Sequence, residues 1–323
     1  IGSDWDGNTA DNWEYVGISG QIERYWDNSS FPYRFNAVAP TDPSQQMPAP
    51  ENIILTDKNL TINKYFKNQT CTNGVVTPDD IIAEPYMVAQ VQRGSDGKDT
   101  DIFAGSEIAG TNTTLTRYVA LPFHHLNSKV RFGVYTLNTW AANNKTYIED
   151  LVIRISSQDF IKEASSYQIT ANNGSWKVAT GNSGFQEPTK SLTTGVEIFK
   201  FKGLDNNNTP FEDNDLRKHQ GQSSAYMMDC KNGIMQIPQE DVQMTASLTL
   251  KDENGGELKK YENIPIVLKT DNDTQQEKFN WVSGNIYTYY LILDFDKQLE
   301  IEFTATLAPW EDISGSLSTD LEK

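Results

Sequence analysis

Reactive side chains are scarce in this sequence. Its 323 residues include two cysteines and three histidines, fewer than most metal centres and acid–base sites require. His124 and His125 lack the glutamate spacing of a zinc-binding helix, and His219 stands alone. The sequence has no G-x-S-x-G elbow, glycine-rich phosphate loop, dinucleotide fingerprint or Cys-x-x-Cys pair. We therefore predict a chain with no catalytic residues, no cofactor site, no metal site and no enzymatic activity.

Positive charge is also in short supply. Lysine and arginine together number 27, against 44 aspartates and glutamates, which gives a formal net charge of −17. The longest basic run is Lys259-Lys260. Because so acidic a surface repels phosphate groups, we exclude nucleic acid as a partner and assign the acidity to solubility.

Long apolar runs and a leader are missing as well. No stretch is long and apolar enough to span a bilayer, and no signal peptide is visible. Since the sequence starts at Ile1 rather than at methionine, we expect a trimmed or mature form. Cys71 and Cys230 are far apart along the chain, and both a disulfide between them and two free thiols stay open as alternatives.

Acidic loops are present, but they depart from the calcium-loop pattern. After Asp4, Asp6 and Asn8, Thr9 occupies the position that requires glycine, and Pro210 interrupts a second acidic loop. We predict solvated loops at both places.

What the sequence does contain is a dense series of β-strand patterns, and the strongest lie near its end. In Asn285–Phe295 both alternating sets of side chains are apolar or aromatic, which is typical of a strand in the middle of a packed sheet. Leu299–Leu307 alternates apolar residues with Glu300, Glu302 and threonines, which predicts one buried and one solvated face. We expect these two strands to form an antiparallel hairpin at the centre of the fold.

Shorter strand patterns fill much of the remaining chain, and convincing amphipathic helices are nearly absent. Many short strands separated by turns predict an all-β fold built of β-sandwiches. We place a boundary near Asn138–Asn144 and predict two domains, residues 1–140 and residues 141–323. The patterned segments outside the hairpin are Tyr15–Trp26, Phe31–Ala39, Asn52–Phe66, Tyr86–Gln92, Arg117–Leu137, Tyr147–Ser156, Ser175–Thr180, Gly195–Phe201, Ala225–Asp229, Gly233–Pro238, Thr245–Asp252 and Ile264–Thr270.

Several segments along nearly the whole chain match a set of short motifs. Val119–Phe132 (VALPFHHLNSKVRF) fits "L-x-F-x-H-x-L-(A/S)-K-V-x-F" with Asn127 at a varied position. The others are Phe31–Pro40 (FPYRFNAVAP), Ile82–Ala89 with departures at Glu84 and Pro85, Ile234–Gln239 (IMQIPQ), Asn280–Leu293 (NWVSGNIYTYYLIL) and Ala308-Pro309-Trp310. In these motifs and in their order, the chain resembles the fimbrillin family, the Bacteroidales-type pilins and fimbrillin-like surface lipoproteins.

The resemblance implies a specific architecture and function. It implies two β-sandwich domains in tandem, transthyretin-like and of Greek-key type. It also implies a non-enzymatic fimbrial subunit, exported as a lipoprotein to the outer membrane and cell surface. A protease would remove an N-terminal piece, and other pilus subunits would then pair with the chain by strand exchange. Surface glycans or proteins, of host or bacterium, are the expected targets of adhesion.

The sequence departs from a shaft subunit of this family at its end. In the segment after Trp310 (EDISGSLSTDLEK), Ile313, Leu317 and Leu321 are four residues apart, a spacing that fits neither face of a strand. We therefore expect an inefficient donor arm and keep tip, anchor and accessory roles beside the shaft. Arg24 is the only arginine near the start, and cleavage after it would remove a predicted strand.

Two alternatives to a fimbrial subunit stay open. A surface carbohydrate-binding protein could use the same sandwich, with tryptophans stacked on sugar rings. The candidates are Trp5, Trp13, Trp26, Trp140 and Trp176. A glycoside hydrolase would need two facing carboxylates in a pocket.

His125 and Lys129 invite a functional interpretation, but we assign them to a strand that joins the two sandwiches. We expect His125 to be packed or hydrogen-bonded near that seam. Replacing it by alanine should then lower stability without abolishing the binding of any ligand.

Overall fold

The structure, a computed structural model, describes sixteen ranges of the chain: residues 33–39, 53–55, 59–63, 66–77, 87–93, 99–101, 106–108, 123–137, 145–170, 184–191, 194–205, 207, 209–228, 233–269, 275–294 and 300–310. Several predicted features lie outside these residues. They are Arg24, the strands Tyr15–Trp26 and Ser175–Thr180, the boundary region Asn138–Asn144 and the segment after Trp310.

The regular secondary structure of the described residues is almost entirely β-strand, so the prediction of an all-β fold is confirmed. The first strands are β1 (Tyr33–Ala39), β2 (Ile53–Leu55), β3 (Asn59–Ile62), β4 (Phe66–Lys67), β5 (Thr70–Thr72), β6 (Val75–Thr77), β7 (Met87–Arg93), β8 (Asp99–Asp101), β9 (Ser106–Ile108), β10 (His124–His125), β11 (Ser128–Thr136), β12 (Thr146–Ile155), β13 (Ile161–Ala164) and β14 (Ser166–Thr170). The later strands are β15 (Phe185–Gln186), β16 (Thr189–Lys190), β17 (Val196–Phe201), β18 (Tyr226–Met227), β19 (Ile234–Gln236), β20 (Gln239–Val242), β21 (Met244–Asp252), β22 (Glu257–Pro265), β23 (Leu268–Lys269), β24 (Gln275–Gln276), β25 (Phe279–Trp281), β26 (Asn285–Asp294) and β27 (Glu300–Pro309).

Helical structure in the described ranges is confined to single 3₁₀ turns at Glu212–Asn214, Leu216–Lys218 and Gln222–Ser224. Accordingly, none of these residues form a helix of the length and hydropathy that a bilayer crossing requires.

Two large sheets form the main sandwich. The seven-stranded sheet has the order β18–β11–β26–β27–β23–β24, with β19 also paired to β11. The six-stranded sheet has the order β22–β21–β12–β17–β5–β6. β26 lies between β11, to which it is parallel, and β27, to which it is antiparallel. The predicted hairpin and the interior position of its first strand are therefore confirmed.

Aromatic rings fill the space between these two sheets. The ring centroid of Phe132 on β11 lies 4.9 Å from that of Phe199 on β17 and 5.9 Å from that of Tyr289 on β26. Trp281 is fully buried, and its indole N–H donates a hydrogen bond of 3.0 Å to the Tyr289 hydroxyl. Burial raises the pKa of Tyr289, because the phenolate would lose its hydration. Each such ring stabilises the fold by roughly 1.5–3 kcal/mol through burial.

A second, smaller core lies beside the first. It is built by the four-stranded sheet β15–β14–β3–β2 and the three-stranded sheet β16–β13–β4. Phe66, Tyr167 and Phe185 pack with centroid separations of 4.9–6.3 Å. Gly184 lies so close that a Cβ there would stand 2.4 Å from the Tyr167 ring. The smaller core therefore depends on glycine at this position.

The early part of the chain forms a five-stranded sheet. Its order is β1–β7–β8–β9, and β10 also pairs with β7. The register runs from Tyr33 opposite Arg93 to Ala39 opposite Met87. The predicted strands Phe31–Ala39 and Tyr86–Gln92 are confirmed as β1 and β7.

Buried amide side chains tie an early segment to the late motif Ile234–Gln239. The Asn68 side chain accepts a hydrogen bond from the Ile237 N–H (2.6 Å), and the Gln69 side chain accepts one from the Met235 N–H (2.9 Å). The Gln236 side chain in turn donates to the Gln69 carbonyl (2.6 Å). Because these groups are buried, losing any one partner would leave a polar atom unsatisfied.

Strands from both sides of the predicted domain boundary share the main sandwich. β5 pairs with β17, and β11 pairs with β26. The division into residues 1–140 and 141–323 stays a prediction, as do the transthyretin-like and Greek-key details.

Candidate functional site

The two outermost long strands of the main sandwich, β22 and β27, lie on the same side of it. β22 ends at Pro265, and the chain then enters β23, whose Leu268 pairs with Phe303 of β27. Only residues 266 and 267 separate β22 from β23, and so short a connection can join the two sheets only along a margin that they share. β22 and β27 therefore lie at neighbouring margins of opposite sheets. Tyr261 and Ile264 of β22 are partly buried against the main core.

The backbone of β27 alternates between groups that bond within the sheet and groups that point away from it. Trp310 donates its backbone N–H to the Gly284 carbonyl (2.7 Å), and the register with β26 continues without a shift from Pro309 to Glu300. Because bonded and non-bonded positions alternate in an antiparallel pair, even-numbered residues bond to β26. Odd-numbered residues therefore present their N–H and C=O groups outward.

Part of this outward backbone is open. β23 pairs with β27 at Phe303. Beyond that point, no strand of the described ranges pairs with the outward groups of Ala305 and Leu307. Pro309 takes the next outward position, where its missing N–H costs no bond within the sheet.

The side chains of the same odd-numbered residues lie on the core side of the sheet. Ile301, Phe303 and Ala305 are partly buried, and Leu307 is 63% exposed. Tyr287 stands opposite Leu307, and its hydroxyl accepts a hydrogen bond of 2.9 Å from the Val282 N–H. The sequence predicts a buried face for this strand, whereas the structure leaves that face half-buried. The reason is its position at the margin, where no described strand covers it from the side.

No charged side chain interrupts the outer part of this strand. From Phe303 to Pro309 the sequence is FTATLAP. We call the outward backbone of Ala305 and Leu307, together with the core-side side chains of residues 301–307, the β27 edge. An edge with free main-chain groups and an uncovered apolar face is a template for an added strand.

Trp310 anchors the end of β27. Its ring stacks on His125 with centroids 4.2 Å apart and planes at 15°, and the Lys129 ammonium lies 4.0 Å from the indole centroid. The indole thus makes both a stacking contact and a cation–π contact. His125 is 7% exposed, so its predicted packing is confirmed. His125 and Lys129, which the sequence analysis considers for a functional role, therefore both contact the residue at the end of β27.

The remaining candidates from the sequence do not meet in one place. His219 lies among the 3₁₀ turns, where its ring nitrogens contact the carbonyl oxygens of Ser224 (2.7 Å) and Asp213 (2.5 Å). Across the described residues, no group of three or more histidines, cysteines or acidic residues could hold a metal ion. The tryptophans considered for sugar stacking lie outside the described residues: Trp5, Trp13, Trp26, Trp140 and Trp176.

Cys71 is buried in the main core and is disulfide-bonded. The alternative of two free thiols is therefore wrong for this residue. Cys230, the other cysteine of the chain, lies outside the described residues.

Comparison with known proteins gives matches among solved structures. No family profile matches the chain, and no curated protein matches its sequence. The chain is similar to a fimbrial protein from Bacteroides vulgatus, at 12% identity and a TM-score of 0.43, over 85% of this chain and 77% of that one. It is also similar to candidate cell adhesion proteins from Bacteroides ovatus (11% identity, TM-score 0.38, 87% and 69% covered) and Bacteroides uniformis (15% identity, TM-score 0.36, 94% and 82% covered).

Sequence reasoning missed the β27 edge as a site. The alternation in Leu299–Leu307 is that of any half-buried strand. What sets it apart is that no described strand pairs with it beyond Phe303, and this depends on where β23 lies. The absence of charge from Phe303 to Pro309 is the one local signal that could have pointed to it.

Proposed function

We propose that the chain is a non-enzymatic subunit of a cell-surface fimbria and that another subunit adds a strand to the β27 edge. One observation carries the proposal: no strand of the described ranges pairs with the outward backbone of Ala305 and Leu307, which lies beside an uncharged, half-buried apolar face. A strand added there satisfies main-chain groups and covers side chains at the same time.

The energetics favour pairing with an extended segment over docking of a globular surface. Each main-chain hydrogen bond contributes about 0.5–1.5 kcal/mol net. Covering the exposed part of Leu307 and the half-buried Phe303 adds apolar burial at about 25 cal/mol per Å². An incoming strand with apolar residues at alternate positions matches the spacing of the inner side chains and fixes the register.

The location and partners of the protein follow from the same proposal. The fimbrillin resemblance supports export as a lipoprotein to the outer membrane, removal of an N-terminal piece, and contact with other pilus subunits. The disulfide at Cys71 suits an oxidising compartment outside the cytosol. Whether the subunit serves as shaft, tip or anchor depends on whether it also donates a strand, and the spacing of Ile313, Leu317 and Leu321 argues against an efficient donor.

The decisive experiment places a lysine on the β27 edge. In cells that express the full-length precursor, Leu307→Lys introduces an inward-pointing charge of the kind that natural edges use to block pairing. We expect loss of fimbriae by immunogold electron microscopy, with the variant still exported and folded. Leu258→Lys is the matched control, because Leu258 is 38% exposed on the opposing strand β22, and it should leave fimbriae unchanged.

Fimbriae of normal number and length in the Leu307→Lys strain would overturn strand addition at this edge. A glycan array probed with the purified protein tests the carbohydrate-binding alternative. Strong binding there, together with normal fimbriae, would favour that alternative.

A further inference from the structure

Among the side chains at the end of β27, that of Trp310 makes the packed contacts. Thr306, Leu307, Ala308 and Pro309 are all exposed, so their own side chains contribute little burial. Backbone hydrogen bonds at an exposed strand end open readily, because few packed contacts break with them. Trp310, the next residue, is the first with a packed side chain.

The contacts of Trp310 reach a different part of the molecule. His125, which stacks on the indole, belongs to β10, and β10 pairs with β7 of the five-stranded sheet. Lys129, whose ammonium lies over the indole, belongs to β11. The backbone repeats this connection, since Trp310 donates to Gly284 (2.7 Å) and Gly284 donates to the Asn127 carbonyl (2.9 Å).

Gly284 makes the backbone part of this connection possible. Its φ is +71°, in the left-handed region where glycine carries no strain. The turn it forms directs its carbonyl toward Trp310 and its N–H toward Asn127. The strand end is thus connected to the β10–β11 junction by one ring and two hydrogen bonds.

We propose that Trp310 is a latch on the last strand. While its ring contacts His125 and Lys129, residues 306–309 stay paired with β26; when the ring leaves, these residues detach together. The latch determines the fraction of time for which the end of β27 is paired with β26. It also couples this pairing to the β10–β11 junction, where His125 and Lys129 lie. It is a property of the strand itself and does not depend on what pairs with the β27 edge.

Hydrogen exchange on the purified protein tests the latch. Thr306 and Ala308 bond inward to β26, so their amide exchange, followed by NMR, reports the detachment directly. Trp310→Ala removes the stacked ring and the cation–π contact, and we expect about tenfold faster exchange at these two amides. Lys129→Met keeps the aliphatic stem and removes the charge, and about two- to threefold faster exchange is expected.

The pattern of exchange separates a latch from an ordinary core residue. Amides in the middle of β26, such as that of Tyr289, should keep their wild-type rates in both variants. Phe211→Ala is the matched control, because it truncates a partly exposed aromatic ring elsewhere (42% exposed) and should leave Thr306 and Ala308 unchanged. Equal acceleration at Tyr289, or none at Thr306 and Ala308, would overturn the proposal. If Trp310→Ala does not fold, Trp310→Phe and Lys129→Met give the same test at smaller amplitude.

Discussion

The two outermost long strands of the main sandwich, β22 and β27, meet solvent in different ways. β22 carries Lys259, Lys260 and Glu262, and its register against β21 shifts twice. One shift contains Asn263, whose φ is +50° and whose N–H donates to the Ser247 hydroxyl at 2.9 Å. β27 keeps its register with β26 throughout and has no charge from Phe303 to Pro309.

This difference shows that the suitability of a sheet margin for strand pairing depends on the sequence of the individual strand and is not determined by the fold. Charges and bulges are the means by which natural sheets prevent unwanted pairing. β22 uses both, and asparagine is among the few residues that tolerate the left-handed backbone that its bulge needs. β27 uses neither beyond Glu302. The two margins of the same sandwich therefore differ in the features that prevent strand pairing.

The largest effect on stability is expected when proline is placed at one of two neighbouring positions of β27, Thr306 or Leu307. Thr306→Pro removes an N–H that bonds to β26, so the free energy of unfolding should fall by roughly 1–3 kcal/mol. Leu307→Pro removes an outward N–H and should cost less than about 1 kcal/mol while still blocking strand addition. Urea denaturation measures stability, and electron microscopy of fimbriae measures assembly. Equal destabilisation by both substitutions would contradict the alternation of bonds that we derive for β27.

A smaller effect is expected from making β22 resemble β27. Lys259→Thr, Lys260→Thr and Glu262→Thr together remove the charges but leave the bulges, so we expect partial, concentration-dependent self-association. Analytical ultracentrifugation over a range of protein concentrations measures it. The double variant Lys218→Thr and Glu212→Thr also removes an exposed ion pair (3.6 Å), and it should stay monomeric. If both variants self-associate equally, the loss of surface charge alone explains the association, and the location of the charges on β22 plays no part.

The smallest effect concerns the inner face of β22. Burial raises the pKa of Tyr261 to about 12, so the folded state holds its phenolic proton where the unfolded state loses it. That contribution is complete below pH 10 and is lost as the pH rises toward 12. Tyr261→Phe should therefore lose less stability than the wild type between pH 10 and 12. Thermal unfolding across that window measures it, and identical alkaline profiles would show that Tyr261 is not buried.

Local features of this fold are predictable from sequence, whereas the pairing of distant strands is not. The β26–β27 hairpin is predictable from the patterns in Asn285–Phe295 and Leu299–Leu307, because successive side chains of a strand point to opposite faces. Nothing local indicates that β11 is the parallel neighbour of β26, or that β5 completes the six-stranded sheet.

The same distinction applies to the site. The packing of His125 is predictable from its motif, but its partner Trp310 is not, because the two residues belong to different motifs that lie far apart along the chain. The half-buried face of β27 escapes prediction for a related reason. The exposure of the Leu307 side chain depends on where β23 ends. The alternation of residues along β27 does not indicate where β23 ends.

The parallel pairing of Val130 on β11 with Tyr287 on β26 has a consequence for biosynthesis. Synthesis proceeds from the N-terminus, so β11 leaves the ribosome long before the strand that will flank it. Until then one margin of β11 has no hydrogen-bonding neighbour, and contacts this distant form slowly. During that interval the unpaired margin of β11 is a place where incomplete chains can aggregate.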